Sequence, residues 1–424
     1  MLALILALSF VEGFGPGEQE WGHVEVRPKA YMFWWLYFTT ANVSSFYDKP
    51  LVIWLQGGPG GSSTSFGNFE ELGPLDADLK PRNYTWVKDY NVLFIDNPVG
   101  TGFSYVDNMT AFATTNAQIA EDLVTCMKGF FKKLPKFANV STYITTESYG
   151  GKMGAEFALE QEAGTIESNL KGIALGDAWI SPIDSVLTWA PFLLATGMVD
   201  SAGYKEIDKY AKMTLEAIEK KQWTTATNLW SYTEGVIMKE TDNIDFYNIL
   251  TKMPYRGRLR SEENNANLDI DEIMNGPVRK ALGLKTYHCE QCGYVFSKLT
   301  TDFMKPVVHI VERLLNETIL KVIVLTGHMD LIVDTPGTLI WVENLKWKYS
   351  KAWLEAKRQP VVADGIIEGY VKSYDTLSMY WMNRAGHMLD FFGIFAGFSH
   401  IFWTSRHFPG LKFGGKSPLA SRKM

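Results

Sequence analysis

Residues 141–154, STYITTESYGGKMG, decide how this chain is read. A β-branched, apolar run stops at Glu147-Ser148-Tyr149, drops into the pair Gly150-Gly151 and continues as a helical pattern. A serine on a tight turn between a strand and a helix is placed to act as a nucleophile, because the turn lifts its hydroxyl clear of the sheet. The usual form of that turn, Gly-x-Ser-x-Gly, has glycine two residues before the serine. Here that position is Thr146, so the turn taken alone leaves Ser148 either a nucleophile or an ordinary turn serine.

Working outward, short continuous apolar runs recur at 50–56 (PLVIWLQ), 91–96 (NVLFID), 171–177 (KGIALGD) and 321–327 (KVIVLTG). Runs of this kind suit strands buried on both faces of a parallel sheet. Helical patterns such as NAQIAEDLVTCMKGFFKKL (116–134) and MGAEFALEQEAG (153–164) lie between them. Alternating strands and helices predict an α/β architecture, a mixed and mostly parallel sheet with helices on both faces. From about Ser181 to Thr300 the texture changes to longer, charged amphipathic segments with no convincing buried strand. The expected organisation is therefore a core over 16–180 and 301–424, interrupted by a helical insertion or lid over 181–300.

The chain has 424 residues, 46% hydrophobic, 14% aromatic and 21% charged, which suits a large globular core and an apolar cleft. A formal net charge of −6 argues against a nucleic-acid partner. MLALILALSFVEGFG (1–15) reads as a secretory signal peptide without a basic start, and no other stretch is long and apolar enough to span a membrane. N-x-[ST] sequons at Asn42, Asn83, Asn108, Asn139 and Asn316 point to the secretory route and to surface positions. The three cysteines, Cys126, Cys289 and Cys292, leave at least one thiol free or paired between chains. HCEQC (288–292) reads as a local disulfide or two idle thiols rather than a metal site, since a single CxxC lacks a second ligand pair. No metal and no cofactor are expected.

In open α/β sheets the chemistry gathers beyond the carboxyl ends of the strands. After the run at 50–56 comes the glycine-rich GGPGGSS (57–63), which converges backbone N–H groups as an oxyanion hole requires; no lysine stands where a phosphate loop needs one. Ser148 follows the run at 141–147. Asp330 follows the run at 321–327, and His387 closes the MYWMN stretch. The order Ser148, Asp330, His387 is that of the α/β-hydrolases.

The motifs WLQGGPGGSS, FEELGP, DNPVGTGFSY, TESYGGK and RAGHM resemble the serine carboxypeptidase family, with the Gln-Gly-Gly-Pro-Gly-Gly form most like its retinoid-inducible branch. The likeness runs from about Trp21 to Met388 and implies an α/β-hydrolase fold. It implies that Thr146 stands for the first glycine of a Gly-Glu-Ser-Tyr-Gly-Gly elbow, a change that requires room beside the strand. It further implies that Ser148 attacks the last peptide carbonyl, that His387 transfers the proton, and that Asp330 fixes the imidazole tautomer. The N–H groups of Gly58 and Tyr149 would hold the oxyanion. A clamp of Trp54, Gln56, Gly57, Glu71 and Glu147 would grip the free C-terminus of a peptide substrate, with Gln56 replacing an asparagine and Glu70 the alternative to Glu71. An ionised glutamate would repel that carboxylate, so the pair must be protonated, and peptide binding is expected to be tightest in acid.

Two regions depart from the family pattern. After His387 the apolar, then basic stretch 389–424 replaces a Val-Pro continuation and closing helix, which predicts a loosely held His387; the insertion also looks shortened around 287–295. The resemblance implies a secreted or lysosomal carboxypeptidase. A catalytically impaired binding protein with the same fold, or a related esterase or acyltransferase, are the alternatives.

Overall fold

The computed structural model describes residues 13–253, 269–290, 292–363 and 365–388. Most of the expected signal peptide and all of the stretch 389–424 lie outside the described residues.

The strands in chain order are β1 (Gln19–Arg27), β2 (Ala30–Tyr37), β3 (Leu51–Leu55), β4 (Asn91–Asp96), β5 (Tyr105–Val106), β6 (Ser141–Glu147), β7 (Asn169–Gly176), β8 (Ile244–Asp245), β9 (Asn248–Lys252), β10 (Lys321–Gly327), β11 (Gln359–Ala363), β12 (Ile366–Tyr374) and β13 (Leu377–Met382). An 11-stranded sheet runs β1-β2-β4-β3-β6-β7-β10-β13-β12-β11, with β5 beside β2. From β4 to β13 neighbouring strands are parallel, and antiparallel strands finish both edges. The five apolar runs of the sequence are β3, β4, β6, β7 and β10, the centre of the sheet.

Side-chain alternation divides the core. Met32, Trp34 and Leu36 of β2, with Leu93 and Ile95 of β4, pack on one face beneath α1 (Asn116–Lys133) and α2 (Tyr149–Glu160). Phe33, Trp35, Tyr37, Val92 and Phe94 pack on the other against the helical segment Ser63–Leu72. β1, β11 and β12 carry no continuous apolar run, so those edges were not evident from pattern; AYMFWWLY of β2 is such a run and was missed.

Between β7 and β10 come α3 (Pro182–Ala195), α4 (Ser201–Glu219) and α5 (Trp223–Glu240). Within this region β8 and β9 form a short antiparallel hairpin. Part of it joins the sheet's helical layer: Thr188 of α3 donates to Asp334 (2.8 Å), and a Cβ at Gly337 would stand 2.7 Å from the Ser185 backbone.

The elbow shows why threonine is tolerated at 146. Thr146 Oγ1 donates to the Ala174 carbonyl on β7 (2.9 Å), and its methyl points at Gly154 of α2, where a Cβ would lie 2.5 Å away. The missing glycine on the strand is matched by a glycine on the helix above it. Cys289 and Cys292 are joined as a disulfide, and Cys126 is a buried free thiol in α1. All five sequon asparagines are exposed.

Candidate active site

Ser148 sits between β6 and α2 at φ +59°, in the left-handed region that non-glycine residues seldom occupy. The surroundings hold it there. Its N–H donates to Gly176 (3.0 Å), and its carbonyl accepts from Gly151 (3.0 Å) and Trp179 (2.9 Å). Gly150 is obligatory, because a Cβ there would meet the Leu55 carbonyl at 2.2 Å.

The glycine-rich loop closes onto this turn. A Cβ at Gly57 would lie 2.5 Å from Ser148 Cβ and 2.9 Å from the Tyr149 nitrogen, so only glycine allows the approach. Tyr149 opens α2, and a first-turn N–H has no acceptor within its own helix. The Gly58 N–H also has no acceptor among the described residues. Two such donors beside the hydroxyl form a place for developing negative charge.

Asp330 and His387 come together although 57 residues separate them: His387 Nδ1 lies 2.8 Å from Asp330 Oδ2, both side chains buried. Asp330 Oδ1 accepts from the Val333 N–H (3.2 Å). That contact leaves Nε2 as the nitrogen available for chemistry. Burial opposes the imidazolium, yet the charge and hydrogen bond of Asp330, with Glu147 and Asp245 adding, outweigh it and raise the His387 pKa. Ser148 and His387 line one cavity of about 650 Å³, and no hydrogen bond links them here; nucleophile–base contacts of this kind commonly tighten when substrate binds.

The expected looseness of His387 is not found. The hairpin β8–β9 clamps it: the His387 N–H donates to Tyr247 O (2.8 Å), the Tyr247 ring packs 5.1 Å from the imidazole, and a Cβ at Gly386 would strike the same carbonyl at 2.3 Å. Leu331 and Ile332 N–H both donate to Phe246 O (3.0 Å each), so this hairpin also holds the Asp330 loop.

A hydrogen-bonded chain of buried groups runs behind the cavity. Trp54 Nε1 donates to Gln56 Oε1 (2.8 Å), which turns the amide so that Nε2 donates to Glu147 Oε1 (2.8 Å). Gln56 therefore reaches despite its extra methylene, and Gly67 leaves the space: a Cβ there would be 2.4 Å from Trp54 Nε1 and 3.1 Å from Gln56 Oε1. Glu71 is the buried partner, while Glu70 is only half-buried. Burial first, and then the facing charge of Glu147, hold the Glu71 carboxyl well above the ordinary range; Glu147 is raised too, chiefly by burial. Neither oxygen of Glu71, nor Glu147 Oε2, has a hydrogen-bond partner. Gln56, Gly57 and Glu147 line the cavity wall, with Trp54 and Glu71 in the layer behind.

Acidic residues near the site were missed in the sequence, among them Asp177, Glu234, Asp245 and Asp334. Asp177 ends the KGIALGD run, and its position at a strand end was the available signal. Glu234 of α5 also lines the cavity, its carboxyl pushed up to about 8 by burial. Its place among charged helical residues carried no signal.

The sheet order and the serine turn define an α/β-hydrolase, and the solved structure of Kex1, a prohormone-processing carboxypeptidase from Saccharomyces cerevisiae, shares the fold with a TM-score of 0.79 over 91% of each chain at 23% identity. The serine carboxypeptidase family model matches residues 11–392, and the chain belongs to that family. Its similarity to the retinoid-inducible serine carboxypeptidase of Homo sapiens is 44% identity over 399 residues, 88% of each chain. Similarity to serine carboxypeptidase-like 51 of Arabidopsis thaliana is 33% over 410 residues, 88% of this chain and 89% of that one.

The close approach of the loop yields a direct expectation. Gly57→Ala pushes the glycine loop off the elbow and lowers kcat at least about 100-fold, the scale of losing one oxyanion donor, and the folded variant melts at a lower temperature than the wild type, as overpacking a buried contact requires. Steady-state kinetics beside a thermal melt check this; unchanged kcat in the folded variant excludes the assigned geometry.

Proposed function

We propose that this serine carboxypeptidase removes the C-terminal residue of peptides through Ser148, His387 and Asp330, and that it works in the secretory pathway, in secreted or lysosomal form. The observation that carries the reading is the pair of buried, facing carboxyls, Glu71 and Glu147, beside a cavity that also holds the serine and the imidazole. Two like charges in such a place do not both ionise, so the pair retains protons where an exposed glutamate has lost them.

The chemistry follows from those protonation states. Ser148 Oγ attacks the carbonyl carbon of the last peptide bond as His387 Nε2 accepts its proton, and Asp330 holds Nδ1–H and stabilises the imidazolium. The carbonyl oxygen moves into the N–H groups of Gly58 and Tyr149. His387 then gives its proton to the departing amine, and water repeats the sequence on the acyl-enzyme. Meanwhile the terminal carboxylate of the substrate accepts from the Gln56 amide and the protonated Glu147, with Glu71 behind supplying a hydrogen bond to Glu147. A chain that continued past the scissile residue would meet this wall, which favours exopeptidase cleavage.

The two titrations act in opposite senses. His387 must be neutral to accept a proton, so kcat declines as pH falls through its raised pKa. The glutamic pair must be protonated to bind carboxylate, so KM climbs as pH rises through the raised carboxyl pKa values. The preference for acid therefore resides in KM. For a blocked dipeptide, KM increases about tenfold or more between pH 5 and pH 7.5, in line with the loss of one proton per binding event. Glu147→Gln, whose amide does not titrate, flattens that rise. A wild-type KM that stays constant over this range contradicts the carboxylate clamp.

The exposed sequons support the secretory reading. Expressed in a eukaryotic secretory host, the protein shifts to lower apparent mass on treatment with an N-glycosidase, and replacing Asn42, Asn83, Asn108, Asn139 and Asn316 by glutamine removes the shift. A protein recovered from that host without any glycan speaks against the route.

A further inference from the structure

Asp177 follows β7 immediately, is wholly buried, and adopts a left-handed backbone, φ +36°. Its N–H donates to the Leu325 carbonyl (2.9 Å), and its Oδ1 accepts from the Gly327 N–H (3.0 Å). These contacts tie the end of β7 to the end of β10, three residues before Asp330. An asparagine would serve both contacts as well, without the cost of burying an ionisable group beside another acid. The second oxygen, Oδ2, has no hydrogen-bond partner. An oxygen of Asp177, an oxygen of Asp330 and a ring nitrogen of His387 all lie within 4.8 Å of one another.

The groups facing this cluster are mostly acidic. Glu147 approaches Asp177 and His387 from the serine side. Asp334 faces Asp330 from the start of the next helix; burial holds its carboxyl well above the ordinary range, and its Oδ1 accepts from Thr188. Asp177 is likewise held well above that range, by burial first and the charge of Asp330 second. Of the groups named here only His387 can become a cation. Asp330 is the carboxyl hydrogen-bonded to Nδ1, so it is the group that faces the imidazole directly, with Asp177 next to it.

We propose that Asp177 is a second acid of the histidine relay, placed to accept the Nδ1–H of His387 when Asp330 is removed. The inference rests on the reading of Asp330 as the partner of His387. Asp177 acts through the imidazole, so it is a positioning residue. The distances require a shift of less than a bond length or two for its carboxylate to reach the ring. When Asp330 is absent, one of the three causes that raise the Asp177 pKa is gone, leaving burial and Glu147, so Asp177 ionises at lower pH than in the wild type. Its support for the imidazole then appears as pH rises.

The test is the second-order rate of Ser148 labelling by a fluorophosphonate, which does not engage the carboxylate clamp. It is measured from pH 4.5 to pH 8 on the wild type, on Asp330→Ala, and on Asp330→Ala/Asp177→Asn, each with a thermal melt. Asp330→Ala is expected to exceed the double variant by at least about tenfold at pH 7.5, with a ratio between the two that widens as pH rises, whereas any climb in the double variant reflects only the deprotonation of His387. Equal rates in two folded variants overturn the proposal. Should Asp330→Ala fail to fold, the same comparison is made from Asp330→Asn, with the same two outcomes. A wild type that is not labelled at Ser148 at all defeats the serine mechanism itself, a separate result.

Discussion

The hydrogen bond between His387 Nδ1 and Asp330 Oδ2, 2.8 Å long and shielded from water, is the interaction on which the site depends. It joins two loops from neighbouring parallel strands, β10 and β13, and fixes which imidazole nitrogen faces the serine. Neither loop is held by the sheet alone. Main-chain contacts from Phe246 and Tyr247 hold both, so the short hairpin β8–β9 inside a mostly helical region sets the geometry of the relay. Among the described residues, the contacts that fix the ring come from elements that precede it in sequence.

A second constraint is the number of charges that the buried site tolerates. Asp177, Glu71, Glu147, Asp330 and Asp334 are all buried within one neighbourhood, with His387 as the cationic counterpart. An isolated ion in such surroundings is costly, and groups of this kind remain neutral unless paired. In the proposed function, protons retained on Glu71 and Glu147 would turn what is otherwise a repulsive wall into a donor surface for a substrate carboxylate. Hydrogen bonding distributes the work: Trp54 orients Gln56, Gln56 engages one oxygen of Glu147, and the other oxygen of Glu147 is left free.

Much of this was legible in the sequence, for identifiable reasons. The central strands are continuous apolar runs because both faces are covered, and their carboxyl ends carry Gly57, Ser148, Asp330 and His387. The glycines of the elbow and its loop answer to backbone approaches of 2.2 to 2.9 Å that no side chain permits. What was not legible depends on partners distant in sequence. β8 and β9 are two and five residues long, too short for a period to show. Asp177 and Glu234 look ordinary in sequence, since their significance lies in burial and in what they face. The compensation of Thr146 by Gly154 and the room that Gly67 makes for Gln56 are tertiary events, invisible until strand and helix are brought together.

The most direct measurement compares kcat/KM for one blocked dipeptide bearing a free C-terminal carboxylate with that for its C-terminal amide, at pH about 5. A protonated clamp built on Glu147 and Gln56 predicts that the free acid is strongly preferred, by about 100-fold or more, as expected when a charge-assisted hydrogen-bond set is lost. Equal turnover of the two would contradict the account, leaving a serine hydrolase without carboxypeptidase selectivity.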